Sequence, residues 1–182
     1  MDGLRNEGWR FAVSHRSARP LGTLMPRLLS GCIAVVLAVG GNVALGVAEG
    51  PPPFKVTAQY RTNLALLVPR ETSNEQLKAL VLTLRKARRD NRLDQLLPPT
   101  TPGGSKGPYG IVVVYVYSEP DWATVGALQK CVNASANTPL YDECGRHVRA
   151  HYFYAAQPGN EEGSVGYAEG KRVYTKDYQK LF

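Results

Sequence analysis

Residues able to support acid–base, nucleophilic or metal chemistry are concentrated in one stretch of the sequence, which contains Asp142, Glu143, Cys144, His147 and His151. Two histidines four residues apart can chelate a metal ion on a helix, because positions i and i+4 share a face there. We predict a strand over residues 146–156, and on a strand the same spacing separates the two histidines by about 13 Å, too far for one ion. A Cys–His nucleophile needs Cys144 as a free thiolate.

Cys131 and Cys144 are the only cysteines of the sequence apart from Cys32. In an oxidising compartment such a pair predicts a disulfide, which would consume the thiol that a nucleophile needs. Bridging requires Cα atoms about 4.4–6.8 Å apart, a distance that this spacing permits without imposing it. We therefore favour a disulfide, with a surface loop leading into an edge strand, over a catalytic or metal site in this stretch.

A loop rich in proline and glycine is predicted over residues 97–109. Residues 103–107, GGSKG, have the composition of a phosphate-binding loop. They lack the GxxxxGK[ST] spacing, and they precede a strand where a helix N-terminus would be needed. Loops of this length serve either as binding loops or as simple connectors. As a binding loop, it would act through Thr101, Ser105, Lys106 and Tyr109.

Four basic residues fall on one flank of a predicted helix: Lys78, Arg85, Arg89 and Arg92. Such a flank is usually a solvated face. It could also contact an anionic surface such as lipid headgroups or a cell-wall polymer.

The segment 28–48 contains no ionisable side chain except Cys32, and it is long enough to cross about 30 Å of hydrocarbon as a helix. Arg27 precedes it directly, and the first charge that follows is Glu49. This asymmetry predicts that residues 1–27 stay in the cytoplasm and that everything after residue 48 is exported.

The same segment leaves the mode of attachment open. Gly46 and Ala48 are small residues at the −3 and −1 positions of a signal-peptidase site, which favours a cleaved signal peptide over a retained transmembrane helix. A start at Met25 would give an ordinary signal peptide. The residues before Cys32 match a lipobox, but the apolar run follows this cysteine instead of preceding it. We therefore interpret Cys32 as a small residue within an apolar helix and not as a site of lipid attachment.

The hydrophobic patterns predict an α+β fold after a linker at residues 49–53. Alternation over 54–68 indicates one long strand or two. A capping box at Thr72–Glu75 opens a helix whose apolar face is Leu77, Leu80, Val81, Leu84 and Ala87. Ile111–Tyr117 has the composition of a central strand. A second helix capped by Ser118, a third strand over 146–156 and a short strand over 164–168 complete a β-α-β-α-β-β order.

We expect a small sheet of three to four strands with two helices packed on one face, because helices between strands favour crossover connections. The exported domain spans residues 54–170, and residues 171–182 form a tail of uncertain state. From Glu49 onwards, 17 basic and 13 acidic residues make the domain mildly basic, which does not indicate a nucleic-acid binder.

We therefore predict an exported, periplasmic or extracellular protein, or one anchored in the inner membrane through residues 28–48. Its most favoured function is a non-catalytic binding or envelope-associated module without cofactor or metal. Its partner would be an envelope protein, an anionic lipid or a cell-wall polymer. The alternative is a small extracytoplasmic enzyme that uses the Pro/Gly loop or the Cys144/His147 region. Convergence of Ser105, Asp142 and His147 in one pocket would favour the enzyme.

Overall fold

The computed structural model describes residues 50–182 of the chain. Most of the strands in these residues form one mixed six-stranded sheet in an α+β fold. The prediction of three to four strands was too small. The predicted cytoplasmic segment and the signal or transmembrane segment lie outside the described residues. The elements are β1 (Lys55–Tyr60), β2 (Asn63–Leu67), α1 (Asn74–Arg89), a 3-10 helix (Leu93–Gln95), β3 (Ile111–Tyr117), α2 (Val125–Asn133), α3 (Pro139–His147), β4 (Ala150–Ala155), β5 (Asn160–Val165), β6 (Ala168–Glu169), β7 (Arg172–Val173) and β8 (Gln179–Lys180).

The sheet has the strand order β1-β2-β3-β4-β5-β8. The alternating residues of the predicted first strand form two antiparallel strands, β1 and β2, and Arg61 in the turn between them has a φ of 55°. β2 and β3 are parallel, as the α1 crossover between them allows. The remaining neighbours are antiparallel. β6 and β7 form a separate two-stranded sheet.

The central position predicted for Ile111–Tyr117 is confirmed, because β3 lies between β2 and β4. Successive side chains of a strand point to opposite faces. Val112, Val114 and Val116 are fully buried in the cluster that α1 covers, whereas Tyr117 is buried in a second cluster with Leu128 of α2.

The helices α1 and α2 therefore cover opposite faces of the sheet, which corrects the prediction that both pack on one face. The physical reason is the pairing of β3 with β4, which is antiparallel. The segment between these strands is not a crossover of the βαβ type, so α2 and α3 are free to lie on the face that α1 leaves open.

The apolar face predicted for α1 is confirmed, since all five of its predicted residues are buried. The capping box lies one residue later than predicted. Ser73 is the N-cap, its side chain accepts from the backbone N–H of Gln76, and the Gln76 side chain accepts from the Ser73 N–H. The Thr72 hydroxyl instead donates to the carbonyl of Pro69 and closes the preceding turn.

The third strand begins later than predicted, because residues 139–147 form helix α3. Thr138 caps this helix by accepting from the backbone N–H of Tyr141, and Pro139 occupies its first turn, where the missing N–H costs nothing. The alternation that indicated a strand starts only after Val148, whose backbone is already extended. The second helix is likewise capped by Thr124 and not by Ser118.

The last twelve residues take part in the fold. β8 pairs with β5 at the edge of the sheet, and Leu181 and Phe182 pack against the core on the α1 face. Gly163 makes room for this packing, because a Cβ added there would lie 2.4 Å from the Phe182 ring.

We predict that Val114→Asp unfolds the domain or lowers its melting temperature by about 10 °C or more, because it buries an unpaired carboxylate at the centre of the sheet. Ile111→Asp is the matched control on the same strand, since Ile111 is 42% exposed and its new carboxylate stays hydrated. Thermal denaturation followed by circular dichroism measures both variants. Equal melting temperatures for the two would contradict the burial of Val114.

Candidate binding site

The carboxylate of Glu161 on β5 accepts hydrogen bonds from three arginines in the last turns of α1. Its Oε1 accepts from Arg88 (2.8 Å), and its Oε2 accepts from Arg85 and from Arg89 (both 3.1 Å). The hydroxyl of Tyr152 on β4 donates to Oε1 as well (3.1 Å). The Glu161 side chain is only 10% exposed, so these donors replace most of the water around its charge.

The ionisation of Glu161 follows from these contacts. Burial alone would raise the pKa of its carboxyl, but the hydrogen bonds from Arg88, Arg85 and Tyr152 and the positive charge of Arg88 together lower it below the ordinary value. Glu161 is therefore ionised at neutral pH. One negative charge faces three guanidinium groups, so the arginine cluster keeps a positive excess.

A cavity of about 470 Å³, the basic pocket, opens beside this cluster at the C-terminal end of α1. Arg88 and Arg89 line one side, and Lys106 and Tyr109 of the 97–109 loop line another. Tyr154 of β4 also lines it, with the Arg88 guanidinium 4.4 Å from the centre of its ring. The remaining lining residues are Asn91, Leu93, Asp94 and Pro108.

The predicted binding loop contributes two of its four candidates to the basic pocket, Lys106 and Tyr109. The Tyr109 hydroxyl donates to the carbonyl of Leu97 (2.6 Å), which fixes the ring at the wall. Thr101 shapes the loop, because its hydroxyl donates to the Gly107 carbonyl (2.8 Å) while accepting from a backbone N–H (2.7 Å). Ser105 is exposed.

The predicted basic flank of α1 divides into three groups. Arg85 and Arg89 bind Glu161, Lys78 pairs with a glutamate one turn earlier at 3.6 Å, and Arg92 pairs with Asp90 at 2.6 Å. Of the four, only Arg89 lines the basic pocket.

Three residues of the site, Arg88, Tyr154 and Glu161, were not predicted from the sequence. The spacing of Arg88, three residues after Arg85, is the signal that could have found it, since i and i+3 are neighbours on a helix. Glu161 lies 73 residues beyond Arg88, and no local pattern indicates this pairing.

The residues considered for catalysis do not meet in one pocket. Ser105 precedes the start of β3, whereas His147 lies beyond its end, 3.3 Å from a carboxylate oxygen of Glu119. A strand of this length spans about 20 Å, so the two residues lie towards opposite ends of β3. Asp142 pairs with Arg172. Within residues 50–182, no group of three or more His, Cys, Asp or Glu side chains could hold a metal ion.

The two histidines occupy different elements. His147 ends α3 and stacks on the indole of Trp122, with ring centres 4.1 Å apart. His151 lies on β4 among aromatic rings, 5.3 Å from those of Tyr115 and Tyr167. Burial lowers the pKa of His151 to about 4, so this imidazole is neutral at physiological pH.

The predicted disulfide between Cys131 of α2 and Cys144 of α3 is present. It ties the two helices of one face together and is consistent with an oxidising, extracytoplasmic environment. Across the described residues 50–182, none of the helices combines the length and the apolar character needed to cross a membrane.

Comparison of the chain with family models, with curated proteins and with solved structures gives no match. The geometry of the chain itself therefore carries the functional argument.

We predict that Glu161→Gln destabilises the domain by about 1–3 kcal/mol, because three guanidinium groups lose the charge that compensates them. Glu162→Gln is the matched control, since Glu162 is the next residue of β5 and is exposed. Urea denaturation of both variants measures the free energies of unfolding. A loss that is the same for both variants would show that Glu161 does not organise the arginine cluster.

We also predict a loss of stability on acidification that depends on His151. The pKa of His151 is lower in the folded chain than in the unfolded chain, so the unfolded chain binds a proton first as the pH falls. The free energy of unfolding therefore decreases between about pH 6.5, the ordinary pKa of histidine, and about pH 4, the pKa in the folded chain. This histidine accounts for about 2 kcal/mol between pH 7 and pH 5. His151→Phe keeps an aromatic ring that does not titrate. Urea denaturation at both pH values should show a smaller acid loss for this variant, and an unchanged loss would contradict the assignment.

Proposed function

We propose that the chain is an extracytoplasmic, non-catalytic binding module whose basic pocket takes the anionic group of a cell-wall polymer. The observation that carries this proposal is the convergence of two independent parts of the chain on one cavity. The last turn of α1 brings Arg88 and Arg89, and the 97–109 loop brings Lys106 and Tyr109.

The charge balance supports an anionic ligand. The basic pocket and the cluster behind it contain four basic side chains, which are Arg85, Arg88, Arg89 and Lys106, against the two carboxylates of Asp94 and Glu161. Two positive charges are therefore left for a ligand. Guanidinium groups bind carboxylate and phosphate oxygens in a fixed geometry, and Lys106 adds a mobile point charge.

The shape of the basic pocket favours a sugar unit of a polymer over a membrane surface. Its volume of about 470 Å³ lies within the range of about 300–1,000 Å³ typical of small-molecule sites. Tyr109 and Tyr154 offer aromatic rings that can pack against a sugar ring. A flat lipid surface would instead use the whole flank of α1, where Lys78 and Arg92 already have carboxylate partners.

Two observations support the location. The apolar segment 28–48, with Arg27 before it, has the organisation of an export signal or membrane anchor. The Cys131–Cys144 disulfide fits an oxidising compartment.

We predict that the full chain binds a carboxylated oligosaccharide such as trigalacturonate. The neutral trisaccharide maltotriose should bind at least about tenfold more weakly, because one charge-assisted hydrogen bond contributes about 1.5 kcal/mol or more to the binding free energy. Isothermal titration calorimetry at low salt measures both affinities. The affinity should fall as salt rises, because exposed charges are screened.

The variant Lys106→Glu should weaken trigalacturonate about fivefold to tenfold, because it reverses a charge at the rim of the basic pocket. Lys130→Glu is the matched control, an exposed lysine of α2 on the opposite face. Equal affinity for the neutral sugar, or equal effects of the two variants, would reject the proposal. Binding to phosphatidylglycerol vesicles without binding to the sugar would assign the chain to lipid instead.

A further inference from the structure

A second cavity, on the face of the sheet opposite the basic pocket, has a different chemistry. Its volume is about 340 Å³, and its lining includes four tyrosines, Glu169 and the Cys131–Cys144 disulfide. The tyrosines are Tyr115, Tyr117, Tyr141 and Tyr167, and the other lining residues are Val132, Ala134, Ala136, Gly145 and Val148. We call it the tyrosine cavity. Of the described residues that line it, Glu169 alone carries a charge at neutral pH.

Two of the lining tyrosines lie at a steep angle to one another. The planes of Tyr115 and Tyr167 meet at 72°, with centres 5.9 Å apart. Tyr141 approaches the cavity from α3, where its ring lies edge-on to Tyr174 at 6.0 Å. The face of an aromatic ring carries partial negative charge, so a tyrosine ring whose face borders the cavity attracts a cation.

Of the four tyrosine hydroxyls of the cavity, that of Tyr167 is already engaged. It donates to a carboxylate oxygen of Glu169 (3.3 Å). Burial raises the pKa of Tyr115 to about 12, so its ring stays neutral. The cavity combines four tyrosine side chains with the negative charge of Glu169, a set that suits an organic cation.

The hairpin that carries Glu169 leaves this charge available. Arg172 faces Glu169 across the β6–β7 pair, but it directs its guanidinium to Asp142 of α3. The same guanidinium lies 5.4 Å from the centre of the Tyr174 ring. Tyr174, whose ring packs against those of Tyr141 and Tyr167, therefore already holds one cation by the interaction that we invoke.

We propose that the tyrosine cavity binds a small quaternary or methylated ammonium group. Aromatic rings and a carboxylate recognise this class through cation–π attraction and charge, without directed hydrogen bonds. The volume, at the small end of ligand pockets, fits a head group and not a large molecule. A divalent metal ion would need several more oxygen ligands than the cavity offers.

The test uses the full chain with its disulfide intact and titrates choline against its neutral isostere 3,3-dimethylbutan-1-ol by calorimetry. We expect choline to bind at least about tenfold more tightly, as a desolvated cation–π site provides. Equal affinities would overturn the proposal. So would the absence of choline binding at about 10 mM, since a weaker interaction is worth less than about 3 kcal/mol.

Variants of two lining residues, Glu169 and Tyr141, test whether choline binds in the tyrosine cavity. Glu169→Gln, at an exposed position, should weaken choline about fivefold, and Tyr141→Leu should do the same while Tyr141→Phe stays near the wild-type affinity. Lys106→Glu should leave choline binding unchanged, which separates this inference from the proposed function. Unchanged binding in both Glu169→Gln and Tyr141→Leu would place choline elsewhere and overturn the proposal.

A second arm distinguishes a free ligand from a lipid head group. Sedimentation with phosphatidylcholine vesicles, compared between the wild-type chain and Glu169→Gln, tests the lipid source. Binding of choline alone supports a free ammonium compound, whereas vesicle binding that Glu169→Gln weakens supports the head group. Vesicle binding that is unchanged in Glu169→Gln, together with no choline binding, would overturn the assignment.

Discussion

The parallel pair formed by β2 and β3 lies inside the sheet, and the burial of β2 on both faces constrains the rest of the fold. Leu64 and Leu66 face one cluster, whereas Ala65, between them, faces the other, and all three are fully buried. Apolar side chains on both sides of a strand must each be covered. The α1 crossover covers one side, so α2 and α3 must cover the other, and the disulfide between them holds that cover in place.

This arrangement gives the two faces opposite electrostatic characters. On the α1 face, the arginines around Glu161 keep a positive excess beside the basic pocket. On the other face, neutral tyrosine rings surround a cavity whose charged lining residue is Glu169. The buried strands separate the two cavities, so the two proposed sites lie on opposite faces of the sheet.

The sequence predicted the features that depend on local periodicity. The buried face of α1, the strand Ile111–Tyr117 and the pairing of Cys131 with Cys144 are all present. The α+β class follows from the same patterns. The capping box was displaced by one residue because Thr72 and Ser73 are both competent caps, and only the turn at Pro69 selects between them.

Features that depend on long-range pairing could not be predicted in the same way. The helix α3 was not predicted, although Thr138 and Pro139 are ordinary start signals for a helix. The alternation of apolar residues that follows α3 indicated a strand, and this prediction was extended back to residue 146, inside the helix. The face on which α2 packs depends on whether β3 and β4 are parallel, and residue types do not fix this direction. The candidate site was predicted in part. Lys106, Tyr109 and Arg89 belong to it, but their convergence with Tyr154 requires the folded sheet.

The irregular pairing of β1 with β2 bears on how the protein behaves at high concentration. β1 forms one edge of the sheet, its register with β2 shifts between Val56 and Ala58, and Val56 is 36% exposed. A regular, flat edge carrying exposed apolar residues would recruit a strand from another molecule. The shift interrupts the row of free backbone groups, and Lys55 places a charge beside it. At the opposite edge, β8 offers only two residues. Within residues 50–182, both margins of the sheet thus carry features that disfavour the addition of a strand from another molecule.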